Sequence, residues 1–187
     1  MIALIVVGLL IFGVLALVMY GVGLYNGLIR LSMNAAKAWA NIDVLLKQRY
    51  DEIPKLVKVC EGYMKHERET LEKITAARTA CMNAQGVAQS AQAENALSGT
   101  LKTLFAVAEN YPDLKANQSF AQLQQRVSYL ESQIADRREF YNDSVNQYNI
   151  RIHQIPDMFL ANMLNFGDKE LFKVSEQERQ DVDIKFN

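Results

Sequence analysis

The sequence predicts an all-α protein: an N-terminal transmembrane helix, then an up-down antiparallel bundle of four long helices with a short C-terminal apolar helix. Three observations predict it. Residues Met1–Ile29 carry no charged side chain. From Arg30 onward, apolar residues recur three and four apart, the period of a helix packed on one face. No strand-like alternation is evident, and the only three prolines are Pro54, Pro112 and Pro156.

The apolar stretch exceeds the ~20 helical residues that cross a hydrocarbon core of ~30 Å. It is apolar on every face, which a buried helix of a soluble domain rarely is. A cleaved secretory signal would open with basic residues and close on a small-residue site. No Lys or Arg precedes the run, and Leu24-Tyr25-Asn26-Gly27-Leu28-Ile29 offers no such site. Residues 1–29 are therefore expected to stay as an anchor in the lipid bilayer. Arg30, Lys37, Lys47 and Arg49 all follow the span, so the positive-inside bias predicts a cytoplasmic bundle with Met1 outside, the alternative being an exported bundle, since only two of these cations lie within ~15 residues of the span. Gly23 and Gly27 form a G-x-x-x-G on which two membrane helices can approach closely, beside the plainer reading that glycine is common in such helices.

Residues 30–153 are the expected bundle. The first helix continues out of the membrane with Leu31, Ala35, Ala38, Ile42 and Leu45 on one stripe and Trp39 packed beside it. Asp51 then resembles an N-cap with Pro54 in the first turn of a second helix. That helix carries a heptad seam through Ile53, Val57, Cys60, Met64, Glu67, Leu71, Ile74, Arg78 and Cys81. Asn83–Ala93, rich in Ala, Gln, Gly and Ser, reads as a turn and a frayed start. A third helix follows on Leu97, Leu101, Leu104, Ala108 and Tyr111. A fourth opens near Asp113 or Leu114, with Phe120, Leu123, Val127, Leu130, Ile134, Arg137, Tyr141, Val145, Tyr148 and Ile152 on its seam. These boundaries make the second and fourth helices about 50 and 57 Å long against ~30 Å for the first beyond the membrane. Either the bundle tilts or bends, or the anchor kinks near Gly27. Glu67, Arg78 and Arg137 place charge on the seams. Such charge is costly unless paired, so the three are expected to form a buried polar layer that fixes register.

Sites for chemistry are hard to find. The two histidines, His66 and His153, fall on different helices, and His66-Glu67-Arg68-Glu69-Thr70 lacks the second imidazole of a zinc H-E-x-x-H. Cys60 and Cys81, placed about 30 Å apart on one helix, cannot pair. Neither phosphate-binding glycine loops nor a nucleophile elbow occurs. A net charge of −1 without a basic run removes the case for nucleic acid. No catalytic residue, metal site or cofactor is expected.

The remaining feature is an apolar segment within residues 154–174, carried by Met158, Phe159, Leu160, Met163, Leu164 and Phe166 and closed by Gly167. Three destinations are open to it: the membrane interface, the underside of its own bundle, or a neighbouring subunit. Because the four seams are already complete, docking outside the bundle is the expectation. Residues 175–187 read as a polar tail.

The motifs now assembled resemble the LemA family of bacterial single-pass membrane proteins. They include Tyr25-Asn26-Gly27-Leu28, the run Ala38-Trp39-Ala40-Asn41-Ile42-Asp43 continuing to Ile53-Pro54, and Gly62-Tyr63-Met64-Lys65-His66-Glu67. Ala76-Ala77-Arg78, Leu114-Lys115-Ala116-Asn117, Leu123-Gln124, Arg137-Arg138-Glu139-Phe140-Tyr141-Asn142-Asp143, Tyr148-Asn149 and Ile155-Pro156 complete the set. Glu52 and Ile155 depart from the family's usual apolar residue and Phe. The resemblance implies a helical bundle behind an N-terminal span in the bacterial inner membrane, without assigned catalytic residues. It also implies proximity to an HtpX-like zinc metallopeptidase and, in one branch, magnetosome membrane organisation. The function expected is a non-enzymatic scaffold or adaptor that forms homo-oligomers and organises other membrane proteins. The alternative is a signalling or ligand-sensing helical module at the membrane.

Overall fold

The computed structural model describes residues 1–173; Val174 and the polar tail expected at 175–187 lie outside the described residues. Among the described residues there are six helices and no strand: α1 (Ile2–Glu61), α2 (Arg68–Asn83), α3 (Gly86–Ala108), α4 (Pro112–Lys115), α5 (Gln118–His153) and α6 (Asp157–Met163). The helical bundle behind one long apolar helix is as the sequence predicts, but several boundaries move.

α1 runs through Pro54, so the helix start expected at Asp51 is absent. Proline has no N–H and leaves the carbonyl four residues back without its helical donor. That carbonyl belongs to Tyr50, and Arg78 of α2 donates its Nε to it at 2.8 Å. A side chain from the neighbouring helix thus replaces the missing donor. The true break comes at residues 62–67, inside the stretch read as one second helix. Ile53, Val57 and Cys60 therefore belong to α1, whereas Leu71, Ile74, Arg78 and Cys81 belong to α2. The two cysteines lie on different helices, both buried and free. With α1 reaching Glu61, most of the length shortfall assigned to the first helix vanishes.

α3 begins at Gly86, inside the Asn83–Ala93 stretch expected as a turn and a frayed start. The turn is only Ala84–Gln85, and Gly86 adopts φ +77°, a left-handed value that costs glycine little. α4 is one turn opened by Pro112, whose absent N–H is unneeded there. Asn117 then caps α5, its Oδ1 accepting the Phe120 N–H at 3.1 Å.

The described chain divides into two compact units, Met1–Trp39 with Tyr141–Lys169, and Ala40–Phe140 with the stretch that begins at Glu170. We call them the anchor unit and the bundle unit. In the bundle unit, Arg78 of α2 meets Tyr50, while Tyr111, just past α3, donates its hydroxyl to Glu67 at 3.2 Å. Asn117 donates to the Tyr63 hydroxyl at 3.0 Å, and Arg126 of α5 reaches Gln48 at 3.4 Å. These contacts describe an up-down-up-down path around a core that includes Leu56, Ile74, Leu97, Leu104, Phe120 and Val127.

In the anchor unit, Leu28, Tyr148, Ile152 and Ala161 form a small core, with Leu31, Leu160 and Phe166 packed against it. Trp39 packs on Tyr141 with ring centroids 5.6 Å apart, as its position beside the stripe predicts. α6 ends in a left-handed Asn165 (φ 55°), with the Phe166 N–H donating to the Ala161 carbonyl at 2.9 Å, the pattern of a Schellman cap. Asn165, not Gly167, is the residue that closes the helix.

Candidate functional site

The buried polar centre lies in the bundle unit, and it is not the expected trio. Continuing α1 through Pro54 extends its inward stripe to Ile42, Leu46, Arg49, Ile53 and Leu56. Arg49 thereby points into the core, as does Glu94 of α3, three residues before the buried Leu97; both side chains are 0% exposed. Arg49 donates through one terminal nitrogen to Glu94 Oε2 at 3.0 Å and through the other to the Ser98 hydroxyl at 2.8 Å. The second nitrogen also lies 3.8 Å from Glu131 on α5. Tyr50 donates its hydroxyl to the other oxygen of Glu94. One carboxylate on α3 is thus held by two successive residues of α1, and one guanidinium faces both α3 and α5.

Burial, followed by the Glu94 negative charge and its hydrogen bond, pushes the Tyr50 phenol well above its ordinary range. Cys81 adjoins the same cluster, and burial, again reinforced by Glu94, raises its thiol to about 12. Cys60 is raised to about 11 by burial alone. These groups are held neutral, the opposite of the activated thiolate or phenolate that nucleophilic chemistry requires. Desolvation offsets much of the attraction within the buried Arg49–Glu94 pair, so its net contribution to stability is smaller than its geometry suggests.

The expected layer of Glu67, Arg78 and Arg137 does not assemble. Glu67 is half-buried at the turn before α2 and accepts from Tyr111. Arg78 is half-buried and bound to the Tyr50 carbonyl. Arg137 is exposed, because the α5 seam steps from Ile134 to the half-buried Arg138 before Tyr141. Arg138 lies over the Phe172 ring, 4.4 Å from its centroid. Residues 137 and 138 fit the three-and-four spacing equally well, which is why the pattern misplaced the charge.

The apolar C-terminal segment is divided between two environments. Leu160 and Phe166 join the anchor unit's core, and Phe166 meets Tyr25 edge-on at 6.3 Å. The expectation that the whole segment docks outside its own chain is thereby corrected: it had a groove beside α1 and α5. Met158 is half-buried, whereas Phe159, Met163 and Leu164 remain exposed. No neighbouring atom lies within 4 Å of where a Cβ would sit at Gly23 or Gly27, so neither glycine serves close packing within one chain. The bundle unit also carries an open groove of about 900 Å³ between the end of α1 and α2, with Val57, Met64 and Leu71 beneath Lys65, Arg68 and Glu72. Among the described residues, no three His, Cys, Asp or Glu side chains converge on a metal-sized site.

α1 is long and apolar enough to cross a membrane, and its apolar window is entirely uncovered by the rest of the chain. A family model described as "LemA family" matches residues 38–186. Protein LemA of Metamycoplasma hominis is 30% identical over 167 residues, covering 87% of this chain and 74% of that protein. Magnetosome proteins MamQ 1 and MamQ 2 of Paramagnetospirillum magneticum are each 32% identical over 81 residues, which is 43% of this chain and 30% of theirs.

Proposed function

This chain belongs to the LemA family, and on that premise we propose that it is a non-enzymatic, membrane-anchored scaffold or adaptor that assembles with copies of itself and organises other membrane proteins. The observation that carries the reading is the use made of buried charge. Arg49 and Glu94 are bound to one another, to Tyr50 and to Ser98, an arrangement suited to holding helices in register. The Gly23–Gly27 face supports assembly of anchors, since it is open to a second helix. The names of the MamQ relatives, as magnetosome proteins, favour a role in organising membranes. An HtpX-like zinc metallopeptidase, which the family resemblance implies, is the first client to test.

The proposal puts the chain in the bacterial inner membrane with the bundle unit in the cytoplasm, an orientation that Arg30 and Lys37, which follow the span, support. A Ser119→Cys variant should resist membrane-impermeant maleimide in intact cells; ready labelling would reverse the orientation. Native mass measurement of the full chain in lipid nanodiscs should give a discrete multimer, which grows on addition of the purified metallopeptidase. A monomer would overturn the scaffold reading in favour of a ligand-sensing module, for which the groove between α1 and α2 supplies a site.

A further inference from the structure

We infer that α6 and its flanks form an interfacial membrane element, with the face bearing Ile155, Phe159, Met163 and Leu164 inserted among lipid headgroups and upper acyl chains. That face is the largest apolar exposure of the anchor unit outside α1. Ile155 is 73% exposed, Phe159 65%, Met163 70% and Leu164 43%. Phe159 and Met163 are one helical turn apart and stand on the same side of α6.

What covers this face follows from what holds its other side. Leu160, Ala161 and Phe166 pack with Leu28 and Leu31, and Phe166 meets Tyr25. α6 is therefore fastened to α1 at Tyr25–Leu31, where the uncharged stretch gives way to Arg30. As a helix, residues 1–29 extend about 43 Å, close to the ~40–45 Å of a bilayer counted with its headgroup layers. A segment seated on the last turns of that stretch lies at headgroup depth. Tyr25 is a residue type enriched at that depth. The exposed face of α6 thus continues the lipid-facing surface of α1, itself uncovered by the chain.

The mounting is firm. Arg151 Nε lies 2.8 Å from the carboxylate of Asp157, the buried first residue of α6. Asn149 exchanges two hydrogen bonds of 2.9 Å with the Lys169 backbone, and the Tyr148 hydroxyl donates to the Gly167 carbonyl at 3.2 Å. No Lys or Arg lies within residues 152–168, so insertion is driven by apolar burial rather than by anionic lipid.

The inference rests on the membrane reading of α1 but not on the scaffold reading. Its test uses the full chain in nanodiscs of phosphatidylethanolamine and phosphatidylglycerol. The sole native tryptophan is removed by Trp39→Phe, and Phe159→Trp or Met163→Trp then supplies the probe. Phe12→Trp serves as the lipid-buried standard and free N-acetyl-tryptophanamide as the solvent standard. Lipids brominated high on the acyl chain should quench Phe159→Trp and Met163→Trp at least twofold, with iodide quenching cut at least threefold from the solvent standard. Both effects should persist when phosphatidylglycerol is omitted. Iodide protection without bromine quenching would mean a protein partner or second copy covers the face, and would overturn the inference. Full iodide access would overturn it equally. Where Trp39→Phe perturbs folding, bimane attached at Phe159→Cys, with buried Cys60 and Cys81 left in place, gives the same readout. Loss of bromine quenching at Phe12→Trp would instead refute the anchor, and multimer mass on the same discs reports the scaffold reading separately.

Discussion

In the bundle unit, a guanidinium and a carboxylate lie wholly out of solvent, while in the anchor unit phenylalanine and methionine side chains stand exposed. Each inverts the usual assignment of residue to environment, and each is tolerable for a different reason. Arg49 and Glu94 are tolerable because they bind one another and because Ser98 and Tyr50 each add a hydrogen bond, which leaves Arg49 Nε as the one group of the pair without a partner among the described residues. Phe159 and Met163 are left open by the described residues, and an environment that removes them from water would stabilise them. The buried pair thus finds its partners inside the bundle unit, whereas the exposed face of the anchor unit calls for a partner outside it.

Breaking the internal side should have the largest effect. Arg49→Met leaves Glu94 buried beside a phenol without its counterion, and should destabilise the protein by about 3–5 kcal/mol. Arg49→Met with Glu94→Met should recover part of that loss in denaturant titrations of the solubilised chain. Strictly additive losses would show that the two charges are not coupled.

Next comes the donor under Pro54. Arg78→Met strips the Tyr50 carbonyl of its hydrogen bond and should cost about 1.5–3 kcal/mol, the range for bonds to charged groups. In a Pro54→Ala background residue 54 regains an N–H, and the same Arg78→Met change should cost markedly less. Equal costs in both backgrounds would separate Arg78 from the proline.

An effect absent at neutral pH comes from the thiols. Burial raises Cys60 and Cys81 to about 11 and about 12, so the folded state favours the neutral form. Their contribution is full below the unfolded thiol value of about 8.5–9 and is lost as pH rises through those folded values. Stability should therefore fall between about pH 9 and pH 12, less steeply with Cys60→Ala and Cys81→Ala combined. Identical pH slopes in the two proteins would sink this assignment.

The smallest shift belongs to the open side. Phe159→Ser in detergent should change stability by no more than about 0.5 kcal/mol, as for a surface site. Phe166→Ala, which removes a ring packed on the small core, should cost clearly more. Similar losses for both would mean the exposed face has folding partners after all.

The apolar skeleton was legible because its spacing survives every irregularity. Leu71, Ile74, Leu97, Leu101, Leu104, Val127, Leu130 and Ile134 are all buried, as their three-and-four recurrence predicts. The same regularity hid the break at residues 62–67, since Cys60, Met64, Glu67 and Leu71 keep seam spacing across a turn. Pro54 was misread because a missing N–H is normally a helix-start feature, and only tertiary structure could supply Arg78 in its place. Placing a boundary at Asp51 stopped the inward stripe short of Arg49. Carrying it on from Ile42 would have placed Arg49 inward, and stepping back three from Leu97 would have found Glu94. The division of the C-terminal segment had no sequence signal, because Phe159 and Phe166 differ only in which way the backbone turns them.

The bond from Arg78 to the Tyr50 carbonyl also bears on the order in which the chain takes shape. Upstream of Tyr50, α1 has its own donors and can form as it leaves the ribosome and enters lipid. Its final stretch, around Pro54, lacks one rung until a residue far along the sequence arrives to fill it. The terminal turns of α1 thus gain that rung only once α2 is in place, and a nascent chain that has not yet emitted Arg78 lacks the donor.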